Sequence, residues 1–302
     1  MENKGGRARS SGPLEYRSAG ANRGAGRTRG AVGPAVIYRG DMRVLPLLLV
    51  LGACKSPPPE APTEMADISR YLFREFDNPE ALPQGVLNLE ELLGAEDITA
   101  EDPVDRAWQV AGLTAGDLEA ITIPSDGDLD LLATMALAYR SPFPVDSHTA
   151  YMVIPDLTVI STTAVIYDRT FPGTDDASCF VDASCEVLAT ENYIDRETAL
   201  FKMEYSFNKD YRWVELEDGR KAIVSRGWIE ESAHGDSSRN HLWQNYETDV
   251  WIGREDGTTW RFYAVYTQAE YAGVGEDMAI NLSRAQAQSA LDTLDAYIEE
   301  NQ

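Results

Sequence analysis

The side chains best suited to binding a metal are three histidines. His234 and His241 lie seven residues apart across a loop that contains a glycine. That spacing is not typical of a zinc site, and the sequence has no HExxH motif. We therefore predict that these two residues and His148 lie on the surface or at the ends of hairpins, and we expect no metal ligands.

Two aspartate-rich stretches could bind calcium. Residues 126–130 read DGDLD, but an EF-hand loop needs Gly at its sixth position and Glu at its twelfth. Leu131 and Leu137 stand at those positions, so the sequence predicts a polar turn that leads into a helix. A weak calcium site near the last two cysteines is the alternative, and it would use Asp175, Asp176 and Asp182.

No catalytic motif is recognisable. Ser225 lies in AIVSRG and lacks the GxSxG elbow that exposes a nucleophile. Residues 55–302 hold 47 of the 50 acidic residues, too many for type and spacing to select a carboxylate pair. We predict that the protein is not an enzyme, and a hydrolase without a known motif remains a third hypothesis.

The last predicted strands are rich in aromatic residues. The strand predicted over 258–268 is apolar on both sides. Such a strand is either covered on both faces or lines a cavity. The first reading is a core beneath a helix, and the second is a pocket for a lipid or another hydrophobe. The pocket would be lined by Trp260, Phe262 and Tyr266, with Arg226 and Arg261 as its polar anchors.

An apolar run over 44–51 follows Arg43 and ends in small residues. The run is too short to span a bilayer, which needs about 20 residues, and is typical of a secretory signal. With the proline-rich stretch that follows, Leu51-Gly52-Ala53-Cys54 resembles the lipobox of bacterial lipoproteins. This resemblance implies a cleaved signal peptide over 42–53 and lipid on Cys54. The alternative is a buried apolar segment of a cytosolic protein.

The same resemblance implies a location. Lys55, rather than Asp, follows the cysteine, which in that family indicates the outer membrane of the bacterial envelope. Several acyl chains would hold the protein firmly, and 54–63 would be the lipidated cysteine with a solvated, polyproline-like tether. Residues 1–41 either precede the true start or form a basic, disordered arm that binds nucleic acid.

Charge divides the chain sharply. Residues 1–54 carry nine of the 26 Lys and Arg and three acids, which leaves a net charge of −30 on 55–302. Binding to nucleic acid needs cations that displace counterions. We therefore expect no nucleic-acid partner for the main domain.

If Cys54 carries lipid, the chain has two other cysteines, Cys179 and Cys185, that can pair. Exported compartments permit a disulfide. Closing so short a loop would add about 2 to 2.5 kcal/mol of stability in the chain-entropy model. The alternative is two unrelated free thiols.

Helical spacing dominates the front of the mature chain. Apolar residues recur at i, i+3 and i+4 from Ile68 to Phe76, and Asn78-Pro79 ends that helix. Asp102-Pro103 is a typical helix start, with a cap and a first-turn proline. Further helices are predicted over 88–93, 114–121 and 130–139.

Strand patterns begin after His148. Asp218-Gly219 and Asp256-Gly257 predict hairpins with type I′ turns. Residues 208–210 predict a third turn. The predicted strands are 149–154, 158–167, 187–193, 200–207, 211–217, 221–230, 240–252 and 258–268.

The chain closes in an amphipathic helix. Ser283 and Gln286 have the spacing of a capping box at its start. One apolar stripe follows, formed by Ala287, Ala290, Leu291, Leu294 and Ile298.

Together these elements predict one acidic α+β domain over 64–302. It has a helical part (64–147), an antiparallel sheet of about seven or eight strands and a long C-terminal helix (148–302). The element order of 148–302 resembles the helix-grip fold of START-type lipid-transfer domains, which implies a helix closing a hydrophobic cavity. A generic antiparallel sheet capped by helices is the alternative.

We thus expect an exported, lipid-anchored envelope protein with a non-enzymatic binding or structural role. The alternative is a carrier of a lipid or another hydrophobe in a helix-grip cavity. Its partners would be the membrane, through Cys54, and a hydrophobic small molecule or an envelope protein. No cofactor is expected.

Overall fold

Residues of alternating polarity form one antiparallel sheet of nine strands in the part of the chain that is described. The structure, a computed structural model, describes residues 57–96, 98, 107–161, 163–198, 201–271, 273 and 276–301. The strands are β1 Ala107–Trp108, β2 Ala133–Ser141, β3 Ala164–Thr170, β4 Val187–Glu197, β5 Lys202–Glu215, β6 Lys221–Trp228, β7 Ala233–His234, β8 His241–Gly253 and β9 Thr259–Glu270.

Four α-helices accompany the sheet in the described residues, so the predicted α+β class is confirmed. Short 3-10 turns lie between several elements, among them Ala115–Leu118, Thr158–Ile160 and Ala177–Phe180. The helices are α1 Met65–Arg74, α2 Leu82–Ala95, α3 Thr149–Met152 and α4 Glu276–Glu300. No helix among the described residues is long and apolar enough to cross a membrane.

The strand order is β1-β2-β9-β8-β6-β5-β4-β3, and β7 pairs with β8. All neighbours run antiparallel. β2 and β9, far apart in sequence, pair over nine residues, from Ala133↔Thr267 to Ser141↔Thr259. This long-range pairing places the front of the chain beside its last strand.

One face of the sheet, which we call the helical face, packs against α1 and α2. Phe262 and Tyr266 of β9, with Tyr246 of β8, are fully buried there among helix residues such as Leu72 and Phe73. Tyr266 also donates a hydrogen bond from its hydroxyl to Ser69 Oγ (2.7 Å). The amphipathic front helices therefore cover a continuous apolar core.

The opposite face, which we call the cavity face, packs against α3 and α4. Leu291 of α4 meets Met135 and Leu137 of β2, while Leu294 and Ile298 belong to a cluster that contains Trp251. Alternate residues of each strand point to this face, because side chains in a strand alternate. The predicted apolar stripe of α4 thus packs on the sheet.

The proline-rich segment packs against the domain from residue 59 onward. The Tyr71 hydroxyl donates to the Pro59 carbonyl (3.0 Å), and Asn88 Nδ2 donates to the carbonyls of Ala61 (3.1 Å) and Pro62 (3.0 Å). Ala61 is buried. The prediction of a solvated tether over 54–63 is therefore wrong for 59–62.

The predictions for the first 56 residues lie outside the described part of the chain. They comprise the non-structural segment 1–41, the signal peptide 42–53 with its lipobox, and lipidation of Cys54. The described residues all belong to one compact unit.

Three sequence patterns proved misleading for secondary structure. Residues 130–139 read as a helix, but β2 occupies Ala133–Ser141. This segment is paired on both sides and buried, so an unbroken apolar run replaces alternation. Residues 149–154 read as a strand but contain α3. The helix predicted to start at Asp102-Pro103 would include Ala107 and Trp108, which instead form β1.

The predicted turn at 208–210 lies inside the continuous strand β5. Lys209 is buried between two carboxylates of β8, so tertiary contacts override a polar, turn-like tripeptide. The hairpins at Asp218-Gly219 and Asp256-Gly257 are confirmed. Their turns are not type I′, which requires two residues with positive φ, because Gly219 (+83°) and Gly257 (+78°) have positive φ but the aspartates do not.

The C-terminal helix is longer than predicted. It begins at Glu276, so Ser283 lies in its third turn and not at its cap. The second predicted helix, 88–93, is likewise part of the longer α2.

Candidate functional site

A cavity of about 1040 Å³ lies between the cavity face of the sheet and α4. This volume is at the upper end of the range for small-molecule pockets. The cavity opens toward solvent at one end, where its lining residues Leu131 and Glu270 are exposed. At the other end the lining residues Tyr151, Trp251 and Leu294 are buried.

The roof of the cavity is apolar. α4 contributes four apolar side chains, because its stripe recurs at helical spacing. Leu157 and Ile160, at the turn before β3, extend this apolar surface. The α4 residues are Ala287, Ala290, Leu291 and Leu294.

The floor of the cavity, supplied by the sheet, carries a network of opposite charges. Lys209 Nζ of β5 lies 2.6 Å from Asp249 Oδ2 and 3.1 Å from Glu247 Oε2, both on β8. Arg261 of β9 donates to Asp249 Oδ1 through Nη2 (2.9 Å) and Nε (3.2 Å). The network forms because Lys209 reaches across β6, where Gly227 pairs with Lys209 on one side and with Glu247 on the other, and because Arg261 lies on β9, next to β8.

The protonation states of this network are fixed by its own members. Burial disfavours the charged form of Lys209, but the attraction of Asp249 and Glu247 is stronger than this effect of burial. The Lys209 pKa is therefore raised well above its ordinary value. Burial would raise the Asp249 pKa, yet Lys209 and Arg261 lower it overall. A catalytic acid or base needs a pKa near the working pH. The network therefore suits binding better than proton transfer.

Phenols complete the polar floor. Tyr263 donates a hydrogen bond to Glu247 Oε1 (3.0 Å), and burial, reinforced by that carboxylate, raises the Tyr263 pKa well above its ordinary value. Burial also raises the pKa of Tyr205, and that of Tyr271 to about 12. At neutral pH all three hydroxyls stay protonated, and those of Tyr205 and Tyr271 can donate hydrogen bonds to a ligand.

Two further arginines line the floor. Arg169 of β3 donates to Asn192 Oδ1 (2.8 Å) and to the carbonyls of Met152 (2.8 Å) and Tyr151 (3.2 Å). Arg196 of β4 lies nearer the open end, with its guanidinium 5.9 Å from the centre of the Tyr205 ring.

Of the five residues predicted to form a pocket, Arg261 alone lines this cavity. Trp260, Phe262 and Tyr266 lie on the helical face, in the solid core beneath α1 and α2. The sequence analysis therefore assigned the pocket to the wrong face of β9. Its cavity residues are Arg261, Tyr263, Val265, Thr267 and Ala269, with Gln268 and Glu270 at the open end.

Arg226, the other predicted anchor, also lies on the helical face. Its guanidinium donates to Asp77 Oδ2 (2.7 Å) and Asp210 Oδ2 (3.3 Å) and lies 4.5 Å from the centre of the Phe76 ring. Arg226 therefore fastens the front helices to the sheet. Sequence reasoning missed Lys209, Glu247 and Asp249, because buried charges look like the wet face of a strand.

The histidines lie in two settings. His148 is fully buried, which corrects the predicted surface position, and burial, helped by the charge of Arg261, lowers its pKa to about 3. His234 and His241 are cross-strand partners whose ring centres are 4.0 Å apart. Among the described residues, no group of three potential ligands is placed to bind a metal.

The remaining chemical candidates have local structural roles. Asp128, Asp176 and Asp182 accept hydrogen bonds from backbone N–H groups two residues ahead, as turn-capping aspartates do. Ser225 is fully buried within β6.

The disulfide between Cys179 and Cys185 is confirmed. It closes the segment that carries Phe180, and this fully buried ring packs on Trp213 (5.6 Å between ring centres). Trp213 Nε1 in turn donates to the Phe180 carbonyl (2.8 Å). The cross-linked loop thus covers one end of the cavity face.

No family model matches the chain, and no curated protein matches it by sequence. Solved structures resemble it at low levels. A STAR-related lipid transfer protein from Xanthomonas axonopodis is 11% identical, with a TM-score of 0.40 over 55% of this chain and 85% of that one. A START superfamily protein from Mycobacterium smegmatis is 8% identical, with a TM-score of 0.37 over 56% and 99%.

The lipid transfer and protein localization domain of human StarD13 is 11% identical, with a TM-score of 0.36 over 69% of this chain and 95% of that one. Similarity at this level says nothing about a ligand. The class of the protein is therefore defined by its own geometry: an α+β domain in which a C-terminal helix closes a cavity on an antiparallel sheet.

Proposed function

We propose that the protein is a carrier that binds one amphiphilic small molecule between the sheet and α4. The observation that supports this proposal is the cavity of about 1040 Å³. A solid core would have suited a purely structural role. The sequence alone ranked that structural or general binding role first, and the cavity favours the carrier alternative.

The two walls of the cavity favour an amphiphile over a uniformly apolar ligand. The α4 roof offers aliphatic surface, and each ligand CH₂ that it removes from water contributes about 0.8 kcal/mol. The sheet floor offers ammonium, guanidinium, carboxylate and phenol groups, and a ligand without polar atoms would displace water from them without replacing its hydrogen bonds. A ligand with one polar and one apolar side satisfies both walls.

We propose the bacterial envelope as the site of this activity, with Cys54 lipidated and held at the outer membrane. The support is the lipobox resemblance of 51–54. The disulfide between Cys179 and Cys185 is consistent with export, because oxidising compartments permit such bonds. A carrier held at a membrane would lie close to the lipid phase in which hydrophobic ligands dissolve.

Binding of an uncharged fluorescent hydrophobe, N-phenyl-1-naphthylamine, tests the carrier proposal. We expect saturable binding of one molecule per chain by the purified protein. Ala290→Trp should weaken that binding about tenfold or more, because the indole would occupy the space that the ligand needs.

Ala296→Trp is the matched control. Ala296 lies on the exposed side of the same helix, so this variant should bind the dye like the wild type. Circular dichroism should show both variants folded. Absence of saturable binding by the wild type, or equal loss in both variants, would refute the proposal.

A further inference from the structure

The floor of the cavity has an excess of positive charge. Four cations and two carboxylates that are buried or half-buried line the cavity, although the whole chain has a net charge of −24. Glu270 is a third acid in the lining, but it is exposed at the open end. The cations are Arg169, Arg196, Lys209 and Arg261, and the carboxylates are Glu247 and Asp249.

Three of these cations form hydrogen bonds within the protein, although Nη1 of Arg261 is buried without a partner. Lys209 and Arg261 share Asp249, and Lys209 also pairs with Glu247. Arg169 has neutral acceptors, including a side-chain amide and two carbonyls. The carboxylate of Glu247 is occupied on both oxygens, by Lys209 and by Tyr263.

Arg196 differs from the other three. Its Nε is buried without a hydrogen-bond partner, and its guanidinium forms no hydrogen bond or ion pair with any residue in the described part of the chain. Its contact is with the face of the Tyr205 ring. Arg196 is half-buried, and leaving its Nε out of water without an acceptor is costly. One acidic group can satisfy a guanidinium with two parallel hydrogen bonds.

The strand register places Arg196 toward the open end of the cavity. Arg196 pairs with Met203, and Thr190 pairs with Lys209, so six residues of β4 separate the levels of the two cations. At the usual strand rise this is about 20 Å. An elongated ligand can therefore place a charged head at Arg196 and extend inward beneath α4.

We infer that the ligand is an acidic amphiphile whose carboxylate or phosphate head binds Arg196, while its hydrocarbon part lies under α4. This inference rests on the proposed carrier function and names the class of its ligand. Arg196 would select acids over neutral hydrophobes of the same length, because its charge has no partner until the ligand supplies one.

Direct titration with a fluorescent polyene fatty acid, cis-parinaric acid, and with its methyl ester tests the inference. The wild type should bind the acid about tenfold or more tightly than the ester, as expected for a charge-assisted hydrogen bond. Arg196→Met should reduce affinity for the acid to that for the ester and change ester affinity less than twofold. Arg196→Lys should recover part of the preference.

Arg239→Met is the control, since Arg239 is exposed and absent from the cavity lining. It should keep the full preference for the acid. Competition between hexadecanoic acid and hexadecyl phosphate then identifies the preferred head group.

The possible failures can be told apart. Equal wild-type affinity for acid and ester would overturn the inference and leave the carrier proposal standing. Equal weakening of both ligands by Arg196→Met would also overturn it, because the side chain would then act only through packing. Failure of the wild type to bind either ligand would refute the carrier proposal itself.

Discussion

Asp249 is a fully buried carboxylate that accepts hydrogen bonds from both Lys209 and Arg261. Replacing buried ion networks with apolar residues is often neutral or stabilising, so stability is a weak reason for placing one here. A fixed array of donors and acceptors, in contrast, can orient a polar ligand. The buried charges on the cavity floor are therefore better explained by recognition of a ligand than by a contribution to stability.

His148 gives a pH-dependent prediction at the scale of one residue. Its pKa is about 3 in the folded chain, against an ordinary value near 6.5, so the unfolded chain binds the proton first as pH falls. Above about pH 6.5 His148 has no effect on the free energy of unfolding, and as pH falls from there toward 3 it destabilises the fold progressively. Between pH 7.5 and pH 5 this loss of stability amounts to about 2 kcal/mol.

The measurement compares urea unfolding of the wild type and His148→Phe at both pH values. The variant should lose about 2 kcal/mol less than the wild type on acidification. Phe preserves a buried ring next to Tyr151, which contacts the His148 ring edge to face. His234→Phe, a change at an exposed histidine, should alter the wild-type loss much less than His148→Phe does, because His234 is not buried and affects only the titration of His241 beside it. Identical losses in the wild type and His148→Phe would contradict the prediction.

At the scale of elements, hairpins and end helices were predictable because their signals are local. Aspartate-glycine pairs marked two hairpins, and the α4 stripe marked its packed side. The sequence did not predict that β5 is one continuous strand. Asn208, Lys209 and Asp210 have the composition of a turn, and only their partners on β6 and β8 keep them in the strand. Pairing across long sequence separations decides such segments.

The candidate site shows the same limit on β9. Alternation correctly divided the strand into two sides, but both sides are apolar enough to be buried. Local sequence does not say which side meets α1 and α2 and which meets α4. The resemblance in element order correctly implied a C-terminal helix over the sheet, whereas the identity of the lining residues needed the register.

Gly227 of β6 gives a prediction about the packing of adjacent strands. A Cβ at this position would lie 2.4 Å from Cζ of Phe207, a buried ring on β5. Gly227→Ala should therefore lower the free energy of unfolding by about 1 to 3 kcal/mol, the usual range for overpacking a core. Chemical denaturation measures the loss.

Gly112→Ala is the companion variant, because a Cβ there would meet nothing within 4 Å. It should change stability by about 0.5 kcal/mol or less. If the two alanine variants proved equally stable, the Phe207 ring would have to move without cost, and the close packing of β5 on β6 would be refuted.

At the scale of the whole molecule, the charges inside and outside differ in sign. An acidic surface repels anions at long range, whereas the cavity floor attracts them at short range. Raising the ionic strength weakens the long-range repulsion first, because exposed charges are screened more than buried ones. This arrangement would favour acids that enter from a nearby hydrophobic phase over small anions in solution.

Attachment to a membrane also depends on how much chain is free between lipid and domain. The packing of 59–62 on α1 and α2 leaves five peptide links between Cys54 and Pro59. Fully extended, these links span at most about 18 Å. A lipid on Cys54 would therefore hold the domain close to the bilayer surface.

Replacement of Cys54 tests that arrangement in a bacterial host that lipidates such proteins. The wild type should incorporate radiolabelled palmitate and sediment with membranes, whereas Cys54→Ser should lose the label and leave the membrane fraction, because no other cysteine would carry the acyl chains. The Cys179→Ser/Cys185→Ser double variant should keep the label, since those thiols are joined in the disulfide. A wild type that stays unlabelled would refute lipidation of Cys54, and a Cys54→Ser variant that still sediments with membranes would show that the protein is attached by another route.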